Sequence, residues 1–233
     1  MPTGLAYNHW SLTSGYMLVG GINLTSKKEQ RSEETKHSII AAAEKLFSKQ
    51  GYETVTIRQI AKEAGCSHTT IYIYFQDKEA LLYALSTQPL ELLKTSMDML
   101  SVDAFLSSDE KLRRLNEQFI RFCLDNRSMY SIFFEAKSAR VDEFEPELAI
   151  NRIRQHMHHI ISRLLGTYLN VPDGDGLLSC SRIYFYMLRG IVGTYTQSEE
   201  SADSIMARLS PTFHAAFEAL LLGFDKQLQD RNE

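Results

Sequence analysis

The sequence predicts an all-α protein in which a small N-terminal group of helices precedes a larger C-terminal helical bundle. After residue 32, apolar residues recur with helical spacing along nearly the whole chain. Candidate N-caps and glycine stops divide that pattern into segments of helix length. No stretch alternates apolar and polar residues over the length of a strand, and the 5 prolines and 12 glycines leave long runs without a helix breaker.

Residues 1–26 differ in composition from everything that follows. They contain no Lys, Arg, Asp or Glu, whereas residues 27–38 contain seven such residues. The apolar stretch 16–24 is short, is interrupted by two glycines and follows no basic region, so it makes a poor secretory signal. We expect residues 1–26 to be a flexible N-terminal extension, or an upstream stretch translated from an early start, with Met17 as another possible start.

The first helix is predicted over residues 33–50. Its apolar residues share one face, and Gly51 supplies a stop because glycine enters the left-handed conformation at little cost. Thr56 and Gln59 then have the spacing of a capping box, which starts a second helix at 57–64. Gly65 turns the chain, and Ser67 caps a short third helix that ends near residue 74. Helix, glycine-containing turn and capped helix together predict a helix-turn-helix.

A fourth helix is predicted to start after an Asp77 cap and to stop or kink at residues 86–88, just before Pro89. This break predicts a boundary between a domain at 27–88 and a second domain at 89–233. In the second domain, periodicity predicts helices near 90–102, 109–126, 128–138, 146–169, 175–198 and 202–229.

Residues 51–82, together with the helix before them, resemble the DNA-binding region of the TetR (tetracycline-repressor-like) family. The most specific part is the pattern aliphatic-Tyr-x-Tyr-Phe-x-x-Lys-Glu-x-Leu, which runs from Ile71 to Leu81. The resemblance covers residues 33–86. It implies a homodimeric transcription regulator, usually a repressor, whose C-terminal helical domain binds a small effector.

Short polar side chains at the start of the third helix suit a recognition helix, because its first turns must enter the major groove. The resemblance places His68 and Thr69 at the main base-reading positions, and Arg58 where it could read guanine. It places Thr70, Tyr72, Tyr74 and Lys78 at positions that mostly contact phosphate or thymine methyl groups. The full predicted DNA-binding set is Thr56, Arg58, Ser67, His68, Thr69, Thr70, Tyr72, Tyr74 and Lys78. Alternatives stay open for several of these residues. Ser67 could act only as a helix cap, Tyr72 and Tyr74 could lie at the edge of the core, and Arg58 could be a solvated surface charge.

The net charge of −4 argues against a nucleic-acid binder that relies on bulk positive charge. Residues 27–88 carry a net charge of +1 and residues 89–233 a net charge of −5. The asymmetry has the sign expected for a DNA-binding N-terminal domain, but it is slight. We therefore expect affinity to come from a few positioned contacts in each half of a dimer.

The resemblance implies an effector pocket and a dimer face in the C-terminal domain. Aromatic and sulfur-containing side chains suit an apolar pocket, for which the candidates are Phe105, Phe119, Phe122, Cys123, Phe133, Phe134, Met157, Ile161 and Tyr184. The dimer candidates on the last two helices are Met187, Gly190, Ile191, Phe213, Ala216, Phe217, Leu220 and Phe224. Both sets could instead be plain core of one chain.

No motif for a nucleotide loop, a nucleophile elbow or a zinc protease occurs in the chain. His156 and His159 can share a helix face but lack further ligands, so we expect no metal site, no cofactor and no catalytic centre. No apolar run approaches the ~20 residues of a membrane span. Three widely separated cysteines form no disulfide framework and fit a reducing cytoplasm, although a redox role for one of them stays open.

The sequence therefore predicts a cytoplasmic, homodimeric, DNA-binding regulator. We expect a repressor that leaves a palindromic operator when a small apolar or amphipathic effector binds the C-terminal domain. Two alternatives remain open. One is a member of the same fold that binds DNA constitutively or only contacts other proteins. The other is a helical small-molecule enzyme with a vestigial helix-turn-helix.

Overall fold

The computed structural model describes residues 27–140 and 145–229, which contain nine α-helices and no strand. The helices are α1 (Lys27–Gln50), α2 (Ile57–Glu63), α3 (His68–Tyr74), α4 (Lys78–Val102), α5 (Ser108–Asp125), α6 (Tyr130–Phe134), α7 (Ala149–Leu169), α8 (Asp175–Tyr195) and α9 (Ala202–Gln229), with a 3₁₀ turn at Arg127–Met129 before α6. The all-α prediction is confirmed. The predicted extension 1–26 lies outside the described residues.

The chain divides into two compact units, residues 1–35 and 36–233. The described part of the first unit, residues 27–35, is helical. The second unit contains α1 from Lys36 onward and every helix after it, so it holds all the candidate site residues. Within the described ranges, no helix combines the length and the apolar character needed to cross a bilayer.

The first three helices end within a residue of their predicted ends, and α2 and α3 start where predicted, but α1 starts at Lys27, six residues before the predicted start at residue 33. Gly51 adopts a φ of 82° and donates its N–H to the carbonyl of Phe47, which ends α1. Thr56 and Gln59 form both hydrogen bonds of the capping box at the start of α2. Gly65, with a φ of 69°, turns the chain between α2 and α3. The shared apolar interior of this region contains Ile39, Ala43, Phe47, Val55, Ile60, Ala61, Ile71, Phe75, Leu81 and Leu82.

The prediction that the fourth helix stops before Pro89 is wrong, whereas a kink there stays a prediction. Helix α4 runs without interruption from Lys78 to Val102, with Pro89 inside it. Proline has no N–H, so the carbonyl of Leu85 loses its helical partner. Leu85 and Leu90 are both buried on either side of the proline, and α4 packs along α5 and α7. Burial of this apolar stripe offsets the lost hydrogen bond, and the predicted boundary at 88/89 falls inside a continuous helix.

The C-terminal helices pack around α7, which contacts α4, α5 and α8, while α9 packs against α5 and α8. The predicted helices over 109–126, 175–198 and 202–229 agree with α5, α8 and α9 to within three residues. The helix predicted over 128–138 is shorter in the structure, where α6 ends at Phe134. The buried guanidinium of Arg154 donates to the carbonyls of Ile132, Phe133 and Ala136, and Lys137 adopts a positive φ of 49°.

A buried polar pair connects α5 to α8. The hydroxyl of Tyr184 donates to Oδ1 of Asn116 at 2.9 Å and accepts from its Nδ2 at 2.7 Å. Both side chains are almost fully buried, and burial raises the pKa of Tyr184 above its ordinary value. The pair stays neutral and keeps its hydrogen bonds inside the apolar core.

We expect Tyr184→Phe and Asn116→Leu each to lower the free energy of unfolding by about 1–3 kcal/mol, because each leaves a buried polar group without its partner. The double variant should lose less than the sum of the two, since no polar group is then stranded. Urea denaturation of the four proteins measures this coupling. Strictly additive losses would contradict a stabilising hydrogen-bonded pair.

Candidate nucleic-acid interface

Helix α3 presents one exposed face and one buried face. Ile71 and Phe75, one helical turn apart, are buried in the core beneath it. His68 and Thr69 are exposed at the start of the helix. Tyr72 is 52% exposed and Ile73 is 74% exposed. The apolar residues thus anchor α3 while its polar first turn and two large side chains face outward.

Ile73 is a candidate contact that the sequence reasoning missed. It follows Thr69 by four residues, so the two side chains lie on the same side of the helix. Helical spacing alone could have identified it. An exposed isoleucine on a polar helix face suits contact with an apolar group such as the methyl of thymine.

The N-terminus of α3 is held by a local hydrogen-bond pair. Oγ of Ser67 accepts the N–H of Thr70 at 3.0 Å and lies 2.8 Å from the Thr70 hydroxyl. The predicted capping role of Ser67 is therefore confirmed. Because both hydroxyls already have a partner, contact of either residue with DNA stays a prediction.

Thr56 and Arg58 lie at the start of α2. The backbone N–H of Thr56 donates to Oε1 of Gln59 at 2.8 Å, and its Oγ1 accepts the backbone N–H of Gln59 at 3.3 Å. Arg58 is exposed, and no ion pair or hydrogen bond joins it to another described residue. Thr56 thus caps α2. The guanidinium of Arg58 has no hydrogen-bond or ion-pair partner within residues 27–140 and 145–229.

Lys78 has a role inside the protein that its sequence position did not predict. Its Nζ donates to the carbonyls of Tyr52 at 2.8 Å and Val55 at 3.0 Å, with the carbonyl of Glu53 at 3.4 Å. It also lies 4.3 Å from the centre of the Tyr52 ring. The ammonium group, with three protons, is therefore occupied by the α1–α2 loop. This geometry departs from the predicted direct contact between Lys78 and phosphate.

The phenol of Tyr52 completes this arrangement. Its ring packs edge-on against Phe47, with the ring centres 5.2 Å apart. Burial, assisted by the nearby carboxylates of Glu79, Glu53 and Asp77, raises the pKa of Tyr52 to about 12. The phenol therefore stays neutral beneath the Lys78 ammonium at physiological pH.

Tyr74 is the remaining predicted DNA contact on α3. It is half-buried at the end of the helix and packs against the apolar core. This position agrees with the alternative that Tyr74 lies at the edge of the core, and contact of its hydroxyl with DNA stays a prediction.

The predicted pocket residues are packed together, with one exception. Rings from α5 and α6 pack closely: Phe119 and Phe134 are tilted with centres 5.2 Å apart, and Phe122 and Phe133 are stacked with centres 5.7 Å apart. Phe105, in contrast, is 98% exposed in the loop between α4 and α5, because the chain there leaves the core for solvent. Its predicted place in a pocket does not agree with this position. The remaining candidates are buried in the same apolar core: Cys123, Met157, Ile161 and Tyr184.

A small cavity of about 30 Å³ lies next to this aromatic cluster. Its lining includes Phe134, Arg140, Asn151, Arg154, Phe185 and Arg189. Of the predicted pocket residues, Phe134 alone belongs to the described lining. Asn151 and Arg189 had not been singled out, and only the packing of α7 against α8 brings them together.

The predicted dimer residues fall on two different faces of α8 and α9. Phe213, Phe217 and Phe224 are buried within their own chain, and the ring of Phe217 lies 4.8 Å from that of Tyr184. The three phenylalanines therefore belong to the core, because their side of α9 faces α5 and α8. Gly190 is exposed, and the other candidates are half-buried: Met187, Ile191, Ala216 and Leu220.

An exposed apolar surface lies on the other side of these two helices. We call it the α8–α9 face; it consists of Ile183, Tyr186, Gly190, Gly193, Ala215, Ala219, Leu222 and Gly223. A Cβ atom added at Gly190, Gly193 or Gly223 would meet nothing within 4 Å. The spacing of 183, 186, 190 and 193 is that of one helix face and could have been found from the sequence.

Among the residues that the structure describes, no three His, Cys, Asp or Glu side chains are placed to hold a metal ion. Nε2 of His156 lies 2.9 Å from Oδ2 of Asp98, so this histidine joins α7 to α4. Burial raises the pKa of the Cys123 thiol well above its usual value, which keeps this thiol protonated and unreactive.

Comparison with known proteins identifies the helix-turn-helix region. Residues 39–85 match the family model of the bacterial regulatory proteins, tetR family. A stretch of 51 residues is 59% identical to the HTH-type transcriptional regulator HbdR of Aromatoleum sp. (strain CIB), and it covers 22% of each chain. The match therefore spans about a fifth of that relative's length.

Two solved structures share the fold over most of the chain. The TetR family transcriptional regulator PfmR from Thermus thermophilus has a TM-score of 0.57 at 22% identity, covering 78% of this chain and 96% of PfmR. The transcriptional regulator FadR from Bacillus subtilis, in complex with stearoyl-CoA, has a TM-score of 0.57 at 20% identity, covering 80% of this chain and 97% of FadR.

We expect Lys78→Met to lower the free energy of unfolding by about 1–3 kcal/mol, because it removes charge-assisted hydrogen bonds to half-buried carbonyls. Lys62→Met, at an exposed position on α2, is the matched control and should change stability by less than about 0.5 kcal/mol. Urea denaturation measures both. If the two variants were equally stable, the hydrogen bonds from Lys78 to the α1–α2 loop would not stabilise the fold.

Salt dependence of DNA binding separates this role from phosphate contact. A lysine that neutralises one phosphate contributes about one unit to the slope of log affinity against log salt concentration. If Lys78 only holds the loop, the slope should be unchanged in Lys78→Met at a temperature where the variant is folded. A loss of about one unit would show that Lys78 also binds phosphate.

Proposed function

We propose that this chain, which carries the DNA-binding domain of the tetR family of bacterial regulatory proteins, is a transcription regulator that binds a palindromic operator as a homodimer. We propose further that it acts in the cytoplasm as a repressor and that a small amphipathic ligand releases it from DNA. The observation that carries the proposal is the exposed first turn of α3, with His68 and Thr69 facing outward above a buried Ile71 and Phe75.

The chemistry of this surface suits the major groove. The imidazole of His68 and the hydroxyl of Thr69 can hydrogen-bond to base edges, and the guanidinium of Arg58 can bind guanine in bidentate fashion. Tyr72 and Ile73 offer a hydroxyl and an apolar surface for phosphate and for thymine methyl groups. Because the whole chain has a net charge of −4, these few contacts must supply most of the affinity.

The α8–α9 face supports a symmetric dimer. Its small residues let two helices approach closely, and Ile183, Tyr186 and Leu222 supply exposed apolar area around them. A twofold axis through this face would bring α8 and α9 of two protomers into a four-helix arrangement. Two recognition helices related by that axis would read the two halves of a palindrome.

Ligand control is supported by contacts that join the C-terminal helices to the DNA-binding helices. Nζ of Lys137, just after α6, lies 3.2 Å from Oε1 of Glu79 in the first turn of α4. Oγ of Ser48, near the end of α1, donates to the sulfur of Met129 at 3.3 Å. A ligand that favours a different arrangement of α6 would shift the population of α1 and α4 positions, and with it the spacing of the recognition helices. The structural similarity to FadR bound to stearoyl-CoA supports an amphipathic ligand.

A constitutive DNA-binding protein is the second candidate, and the small size of the cavity favours it. A volume of about 30 Å³ holds no more than a small group unless the aromatic cluster opens. The two candidates differ in one result. Only the ligand-controlled regulator leaves its operator when a ligand binds the C-terminal domain.

Selection of bound duplexes from a random DNA library should yield a palindromic consensus. Thr69→Ala should change the preferred base at one or two positions of each half-site, at a cost of about 1–3 kcal/mol, because it removes a contact to a base edge. Thr167→Ala, at an exposed position of α7 far along the chain, is the control and should leave the consensus unchanged. Failure to enrich any sequence over a range of salt would reject the regulator proposal.

Gly190→Glu should convert the dimer to a monomer. The added side chain meets nothing within 4 Å in the protomer, so the fold should survive, but it places two like charges against each other across the proposed axis. Thr167→Glu adds the same charge to an exposed site elsewhere and is the control. Sedimentation velocity measures the mass. A dimeric Gly190→Glu protein would exclude the α8–α9 face as the interface.

A further inference from the structure

The cavity beside the aromatic cluster combines a positively charged side with an apolar side. It lies where α6 and the segment after it meet α7 and α8. None of the described residues that line it is acidic, although the chain as a whole has a net charge of −4. The lining contributes three guanidinium groups, two amides and two rings, from Arg140, Arg154, Arg189, Asn151, Gln155, Phe134 and Phe185.

Among the residues that the structure describes, the buried guanidinium of Arg154 donates its hydrogen bonds only to neutral acceptors. It is 7% exposed, and its guanidinium donates to the carbonyls of the α6 region and to Oδ1 of Asn151 at 2.7 Å. These bonds satisfy four of its five N–H donors and provide only partial negative charge. A buried charge whose described partners are all neutral is costly, because the interior solvates it poorly.

Arg189 adds a second positive charge next to the first. Burial, together with the nearby charge of Arg189, lowers the pKa of Arg154 to about 10, so the group is still protonated at neutral pH. Arg189 is held loosely, with Nε 3.5 Å from the hydroxyl of Tyr130 and a guanidinium nitrogen 4.0 Å from the carboxylate of Glu135. Because Glu135 is exposed, it neutralises the two arginines only in part.

We infer that this cavity binds the oxyanion group of a ligand, either a carboxylate or a phosphate. The inference rests on the proposed function, since it names the chemistry of the proposed effector. Planar guanidinium groups match carboxylate and phosphate geometry and form their strongest hydrogen bonds with these groups. A cavity of about 30 Å³ has room for a group of this size.

The apolar side of the cavity indicates where the rest of the ligand lies. Phe134 and Phe185 both contact Phe119, with ring centres 5.2 and 6.3 Å apart, and through it they continue into the aromatic cluster. An apolar chain attached to the oxyanion would therefore meet these rings first. The ligand is thus amphipathic, with its acidic group at the arginines and its chain toward the aromatic cluster.

The same cavity is connected to the DNA-binding helices. Asn151 donates from Nδ2 to the backbone carbonyl of Lys137 at 2.8 Å, and the side chain of Lys137 pairs with Glu79 in the first turn of α4. An oxyanion that draws Asn151 or Arg154 toward itself changes the support of Lys137. The binding site is therefore placed to control the position of α4.

Isothermal titration calorimetry on the full chain tests the inference with four probes. Decanoate carries a carboxylate and decanoyl-CoA carries phosphates; inorganic phosphate has no apolar chain, and decanol has the chain without the charge. We expect at least one oxyanion probe to bind, and decanol to bind at least about 10-fold more weakly. The probe that binds tells whether the acidic group is a carboxylate, the phosphate of a thioester carrier or a free anion.

Arg189→Gln should weaken binding of the oxyanion probe about 10- to 100-fold, because it removes a charged donor. Arg182→Gln, two turns earlier on the same helix and outside the lining, is the matched control and should bind as the native chain does. Arg189 is preferable to Arg154 for this test, because Arg154 also supports the end of α6 and its loss could unfold the domain. Arg189→Lys should restore part of the affinity by restoring the charge.

Three results would overturn the inference: no oxyanion probe binding at millimolar concentration, decanol binding as tightly as decanoate, or unchanged affinity in Arg189→Gln. Calorimetry needs no DNA, so these outcomes are independent of operator selection. If an oxyanion probe binds but no DNA sequence is enriched, the anion-binding site is supported and the regulator proposal is rejected. If a DNA sequence is enriched but no oxyanion probe binds, the regulator proposal is supported and the anion-binding site is rejected.

Discussion

The ammonium group of Lys78 joins the segments on either side of α3. It begins α4, yet its hydrogen bonds go to the carbonyls of Tyr52 and Val55 in the loop between α1 and α2. That loop has no regular secondary structure, so its carbonyls would otherwise depend on water. These hydrogen bonds fix the distance between the end of α1 and the start of α4. Helix α3 is anchored in the core between them. The held loop therefore supports the orientation of α3, together with the buried Ile71 and Phe75.

Much of the helix-turn-helix could be predicted because its signals are local. A capping box, a serine cap and glycines at positive φ act over three or four residues, and Thr56, Gly65 and Ser67 behave as their neighbours dictate. Lys78 shows the limit of this reasoning. Its place in the family pattern suggested phosphate, but its partners lie more than 20 residues earlier in the chain, and no local pattern contains that contact. Pro89 shows the same limit, since burial of the leucines around it overrides a strong local signal.

In the C-terminal domain, periodicity predicts which residues share a helix face but not what that face meets. The three phenylalanines of α9 share one helix face and were predicted as dimer residues, yet that face packs against α5 and α8 of the same chain. The exposed stripe with Gly190 and Leu222 lies on the opposite side. The arginines of the cavity come from the segment after α6 and from α7 and α8, so their proximity depends on the packing of whole helices. Phe105 shows a different limit: it is an aromatic residue, but it lies in a loop that does not pack against the core.

The missing hydrogen bond at Pro89 gives α4 one point of low bending stiffness. On the Lys78 side the helix is a rigid rod whose end lies about 16 Å from the proline, at 1.5 Å per residue. A tilt of about 10° at that point would displace the Lys78 end by about 3 Å over this length. A small rotation at Pro89 therefore becomes a larger displacement at Lys78, while the helical hydrogen bonds of residues 78–88 stay intact. In the proposed ligand response, Pro89 is the pivot, and the eleven residues before it set how far a movement of the C-terminal helices displaces the start of α4.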